Sequence, residues 1–235
     1  MRDKKVWIAA LVTVLTSLAV LIAQGGWDWL TGELSEPPGL TAYAPSIDGC
    51  APRYFDDGEL KELGTPEQVR RGGVMIPTAE LWPTVHVTLQ AKTGQAIVVT
   101  GAQVSVLSSR SLPERGAVVK ATDCGGGMDE RAFDVDLRAT PVALKPTVER
   151  TAQGAVVRSR DFPYKVSSGD PEQLAFHVKN VDRDVRFAIT LKWVSEGEPG
   201  RTRLDNGGRG YRVMALPKSL PRYDLAEVVG HRPAR

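Results

Sequence analysis

Two spacings of apolar residues divide the chain. Residues 6–23, VWIAALVTVLTSLAVLIA, carry no charge, and Thr13, Thr16 and Ser17 are their only polar side chains. In a helix those hydroxyls bond back to a carbonyl one turn earlier. At a rise of about 1.5 Å per residue the run spans roughly 27 Å, close to the hydrocarbon thickness of a bilayer. From Leu81 onward the period is two. Val85, Val87, Leu89 and Ala91 alternate with Thr84, His86, Thr88 and Gln90, the pattern of a half-buried strand. A longer β run covers 97–108 with Gly101 inside it, and a short one covers 118–122. Phe133, Val135 and Leu137 alternate with Asp134, Asp136 and Arg138; Leu174, Phe176 and Val178 with Ala175, His177 and Lys179. Phe187, Ile189, Leu191 and Trp193 follow the same rule. Weaker runs lie at 155–158 and 162–166, and the turn Asp205-Asn206-Gly207-Gly208 precedes a last strand at 211–214. Such a succession predicts a mainly β fold, an antiparallel β-sandwich of about seven to nine strands over residues 81–216. Its expected core is Val87, Leu89, Val104, Phe133, Val135, Phe176, Ile189, Leu191 and Trp193.

Between the two patterns the spacing is irregular. Residues 27–48 hold Pro37-Pro38-Gly39 and Pro45 and read as a stiff linker. Residues 49–80 read as a connecting region with one short helix, begun by the cap Thr65-Pro66-Glu67-Gln68 and ended at Gly72-Gly73. Residues 217–235 read as a loose tail, weakly helical at 224–229.

Charge orients this layout. Arg2, Lys4 and Lys5 precede the apolar run, and no Lys or Arg follows it until Arg53. The positive-inside rule then places residues 1–26 as cytoplasmic tip and transmembrane anchor, with the C-terminal region outside the cell membrane. Trp7, Trp27 and Trp29 stand where indoles favour the interface. The small-x-small sites that a signal peptidase would need are poor: Leu21-Ile22-Ala23 has a large residue in place, and Ser17-Leu18-Ala19 lies inside the apolar run. A retained single-pass anchor through residues 6–23 is the expectation; Ala9, Thr13 and Ser17 would give it a face for weak self-association, but small residues are common in any such span and account for the spacing more simply. Of 30 basic and 28 acidic residues, the first 26 positions hold three bases and one acid. The outer region is therefore neutral overall, which gives no general electrostatic reason to bind nucleic acid or another polyanion. About 200 outer residues are enough for one sizeable core.

Cys50 and Cys124 are the only cysteines. An even pair outside the cytoplasm reads as a disulfide. It would close a loop of about 75 residues, for which the chain-entropy argument gives roughly 4–4.5 kcal/mol as an upper guide. The pairing would staple the end of the stalk to the β region.

The runs VVTGAQVSVL (98–107), CGGG (124–127), RAFDVDL (131–137) and FPYKVSSGDPE (162–172), with the late Trp193 and its glycine turn, come in a specific order. In that order they resemble a group of uncharacterised actinobacterial proteins with one N-terminal membrane span and an extracytoplasmic β-rich domain. The resemblance covers residues 82–212. It implies the layout above and brings no activity, cofactor or catalytic residue. Some members carry an extra cysteine pair before the late Trp strand; residues 181–185 have none here.

Residues that could carry chemistry are few. His86 and His177 are predicted on outward strand faces, where neighbouring strands would let them share a metal; isolated surface histidines account for them more simply. His231 lies in the tail. Asp134 with Asp136 on one strand face, and Asp182 with Asp184 in a turn, have the composition of a calcium or glycosidase pair but neither spacing. Gly125-Gly126-Gly127 lacks the Lys-Ser/Thr of a phosphate loop and is followed by Asp129-Glu130. No nucleophile elbow and no HExxH is present. No catalytic residue, metal or cofactor is assigned. The expected function is a membrane-anchored extracytoplasmic interaction or ligand-binding module, its partner an envelope protein or ligand. The alternatives are a cell-envelope hydrolase whose carboxylates converge only in the fold, and a structural subunit of an envelope complex. A perturbed carboxylate pair in a cleft would favour the hydrolase, and an exposed apolar patch a protein partner.

Overall fold

Period-two alternation requires neighbouring strands to cover the apolar side, and the computed structural model, which describes residues 39–120, 130–150 and 153–230, supplies them. In chain order the described residues form β1 (Leu40–Tyr43), β2 (Ile47–Asp48), β3 (Arg53–Phe55), α1 (Asp57–Glu62), α2 (Pro66–Arg71), β4 (Val74–Met75), β5 (Thr84–Ala91) and β6 (Ile97–Arg110). There follow β7 (Ala117–Lys120), β8 (Arg131–Asp136), β9 (Ala143–Pro146), β10 (Val148–Arg150), β11 (Val156–Arg158) and β12 (Tyr164–Val166). Then come β13 (Glu172–Asn180), β14 (Asp184–Ser195), β15 (Glu198–Leu204), β16 (Tyr211–Met214), β17 (Arg222–Asp224) and α3 (Leu225–Gly230).

Three sheets result. One has six strands in the order β1-β5-β13-β8-β9, with β2 also on β5. The second has nine, β12-β6-β14-β16-β4-β3-β7-β17, with β15 also on β14. The hairpin β10-β11 stands as a sheet of its own. A single apolar cluster draws Val85, Val87, Leu89, Phe133, Val135 and Phe176 from the first sheet and Val99, Val104, Phe187, Ile189, Leu191 and Tyr211 from the second. Every residue expected in the core is buried there except Trp193, which is only partly covered. Its ring rests where a Cβ on Gly200 would stand, and its Nε1 donates to Thr202 Oγ1 at 3.0 Å. A stack of Phe176, Phe133, Phe162 and Tyr164, with centroids 4.6–5.7 Å apart, runs through the same core.

Several expectations change. The sheets are mixed, not antiparallel: β8 pairs with β13, β4 with β16 and β7 with β17 in parallel. Each of these pairs is joined through a long excursion, and a parallel neighbour is reached only by such a crossover. The strand count exceeds seven to nine because strands of two to four residues are too short to show a period. Within the stretch read as linker, β1 and β2 pair with β5. Within the connecting region, β3 and β4 join the nine-stranded sheet, as does β17 from the tail. Phe55, Leu63, Val69 and Val119 make a smaller cluster of their own, on which Leu225, Val228 and Val229 of α3 pack. Helix α2 starts at the capping box read from Thr65 and Gln68; α1 has a second one, from Asp56 to Glu59, that was not expected. The apolar run 6–23 lies outside the described residues, and among those described no helix is long and apolar enough to cross a membrane.

Candidate ligand site

Asp48 of β2, Arg53 of β3 and Glu67, Arg70 and Arg71 of α2 meet around a cleft of about 480 Å³, completed by Ser46 and Ile47. The position of α2 follows from its caps. Thr65 Oγ1 accepts the Gln68 amide at 3.2 Å, and Gln68 Oε1 accepts the Thr65 and Gly64 amides at 3.0 and 2.8 Å. At the other end the Gly72 amide donates to the Gln68 carbonyl at 2.8 Å, and Gly73 adopts a φ of +64°. A Cβ on Gly73 would lie 2.5 Å from the Tyr54 carbonyl oxygen, so only glycine lets the chain return this close to β3. That return brings the Gly72 carbonyl to Arg53, whose Nη1 donates to it at 2.9 Å.

Arg53 is the unusual member. Its side chain lies in a strand buried on both faces, and the residue is only 4% exposed. Its Nε has no hydrogen-bond partner among the described residues. Burial lowers its pKa and the charge of Asp48 opposes that, yet a guanidinium stays protonated at neutral pH. A buried charge needs partners, and Arg53 has one carbonyl and the field of one exposed carboxylate. On the rim, Arg70 and Arg71 both hold Glu67, with Arg70 Nε 3.0 Å from its carboxylate. Those two hydrogen bonds keep the Glu67 carboxyl below its ordinary range. Three guanidiniums against two carboxylates leave the cleft positive, and the guanidinium fork matches a carboxylate or phosphate.

The residues singled out from the sequence lie elsewhere. β5 and β13 are neighbours, with His177 opposite Thr84 and His86 opposite Ala175, so both histidines share the outer face of the six-stranded sheet. They do not converge on one point. His86 Nδ1 lies 3.0 Å from a Glu130 oxygen, and His177 Nδ1 lies 2.9 Å from Thr84 Oγ1. Trp82 covers this second pair, its ring 5.4 Å from that of His177 and 3.6 Å from Lys179 Nζ. Burial first, and the Lys179 charge second, lower the His177 pKa to about 4, so its imidazole is neutral at pH 7. Asp134 is occupied by Lys179 at 3.1 Å and by the Thr147 hydroxyl at 2.7 Å. Burial would raise the Asp136 carboxyl, but donation from the Arg138 amide and from Asn180 prevails and lowers it. Asp184 is not in a turn: it begins β14 and takes a bidentate bond from Arg212 of β16 at 2.6 and 2.8 Å. Among the described residues no three His, Cys, Asp or Glu side chains gather as metal ligands. Cys50 is not a free thiol. Cys124, Gly125-Gly126-Gly127 and His231 lie outside the described residues.

Sequence reasoning missed the arginines. Arg70-Arg71 closing a capped helix looks like ordinary complementation of the helix dipole, and nothing in a three-residue strand marks Arg53 as buried. The available signal was Gly72-Gly73, which announces a close backbone return directly after those bases. No family model matches the chain, and no curated protein or solved structure matches it either.

Proposed function

We propose that this chain is a membrane-tethered, extracytoplasmic binding module that takes a small anionic ligand in the Arg53–Arg70–Arg71 cleft. The observation that carries it is a buried, permanently charged guanidinium with an unpartnered Nε, lining a cleft of ligand size beside two further arginines. The tether is the apolar run 6–23, inserted with the N-terminus in the cytoplasm. The two larger sheets are read as the layers of a β-sandwich, because one apolar cluster takes side chains from both. A Cys50–Cys124 disulfide would tie the entry of the domain, next to the cleft residues Ser46, Ile47 and Asp48, to the segment that follows β7 in the chain. An envelope hydrolase draws less support: Glu67, the carboxylate bound to two arginines in the cleft, is held ionised and is a poor proton donor. A protein partner is favoured by one observation, the hairpin β10-β11, where Val148, Val156 and Val157 are all more than half exposed.

The test is calorimetric titration of the full chain in detergent with inorganic phosphate and with citrate. Binding that weakens about tenfold in Arg70→Ala/Arg71→Ala is expected, the size of one lost charge-assisted contact. These side chains are exposed, so folding is spared. No heat with either anion, or equal affinity in the double variant, removes the cleft from consideration.

A further inference from the structure

The outward face of β12, β6, β14 and β15 collects positive charge although the outer region as a whole is neutral. Residues directly opposite one another in a ladder project to the same side, so the register states what stands there. Lys165 is opposite Val98, and Val98 is opposite Val194. Lys192 is opposite Arg201, Thr190 opposite Arg203, and Arg186 opposite Arg212. All alternate with the buried Phe187, Ile189 and Leu191 and therefore face away from the core. Of the acids nearby, Asp184 is taken by Arg212, Asp205 by Arg203 and Glu196 by the Gln95 amide, while Glu198 begins β15 and Glu59 acts on Arg212. Among the described residues Lys165, Lys192 and Arg201 form no ion pair, and Arg186 donates only to the Arg209 carbonyl at 3.0 Å. Like charges directly opposite each other oppose sheet formation, so Lys192 and Arg201 do not stand together for the sake of the fold. Beside them Val98, 40% exposed, and Val194 add an apolar strip.

We infer that this face docks on the anionic phospholipid surface of the membrane from which the domain is tethered, an inference that rests on the tether of the proposed function. The chemistry is complementary. Guanidinium and ammonium groups meet phosphodiester headgroups through charge-assisted bonds, and a short valine strip between them suits the interface. The reach is sufficient as well. The 15 residues from Gln24 to Pro38 extend to at most about 50 Å, which keeps the face at high effective concentration over the bilayer. Attraction at physiological salt falls off within about 8 Å, so the docked face must touch the headgroups rather than hover above them.

The full chain, reconstituted in nanodiscs of phosphatidylcholine alone or mixed with phosphatidylglycerol, is acylated with a water-soluble amine reagent and read by peptide mass spectrometry. Docking predicts that Lys165 and Lys192 react at least about fivefold more slowly in the anionic discs, relative to the exposed Lys145 of the other sheet, and recover at about 0.5 M salt. In Arg186→Glu/Arg201→Glu, which leaves both lysines as reporters, the protection falls below about twofold. Equal reactivity in the two disc types overturns docking while leaving the tether intact. A chain that does not incorporate into discs overturns the tether and docking with it. Protection by polyphosphate added to neutral discs, with none from phosphatidylglycerol, also overturns docking and assigns the face to a soluble polyanion.

Discussion

The two larger sheets present opposite solutions to the same outward surface. On the six-stranded sheet most charges answer one another: Lys179 holds Asp134, His86 meets Glu130, and Asn180 and Arg138 satisfy Asp136, with Lys145 the exposed exception. On the nine-stranded sheet Lys165, Lys192 and Arg201 form no ion pair among the described residues. Both sheets share one core, so the difference does not arise from the inside of the fold. A paired face is complete in itself and contributes to the domain. An unpaired face of one sign has its natural partner outside the chain. The histidines and aspartates that look chemical in the sequence belong to the first kind, and the bases that look ordinary belong to the second.

That contrast is open to direct attack. The largest effect tests its premise of a common core. Phe176→Ala, on the six-stranded sheet, should cost about 3–5 kcal/mol in denaturant unfolding and remove both faces together. Retention of native Trp193 fluorescence while the first sheet unfolds would show that the sheets are separable. The second effect concerns the paired face. His177 has a folded pKa of about 4 against 6.5 when free, so between those values the unfolded chain binds more protons than the folded one. The contribution of His177 to stability should therefore be constant above about pH 6.5 and fall as the pH drops toward 4. In His177→Gln the part of that decline owed to this imidazole should vanish, and an unchanged slope would mean that the Trp82–His177–Lys179 group is not buried in solution. The smallest effect concerns the unpaired face. Lys192→Glu places opposite charges across from Arg201 and should stabilise the domain by about 0.2–1 kcal/mol. A loss instead would mean that Lys192 serves the fold, and the contrast between the faces would fail.

Legibility followed the length of each strand. The alternation in β5, β8, β13 and β14 told the inner from the outer face because side-chain direction in a strand has a period of two whatever the partner. The start of α2 was readable from Thr65 and Gln68 because a capping box is satisfied within four residues. β3, β4 and β17 carry no such signal, so the regions that hold them looked like connector and tail. Parallel pairing was equally invisible: whether β8 lies beside β13 depends on how the intervening strands are routed, not on residues 131–136 themselves.

For this protein, then, the sequence by itself determined the apolar run ahead of the strands, the strand-rich character of the outer region and most of the side chains in its core. Those properties are set by neighbours within a few residues, through periodicity, capping and turn chemistry. Only the tertiary structure decided that Arg53 is buried beneath α2, that His86 and His177 stand side by side without a common ligand, and that Lys192 faces Arg201 across a ladder. Each of these joins residues distant in sequence or sets two elements in one register. Burial and the proximity of charges are properties of such pairs, and no single stretch of chain contains them.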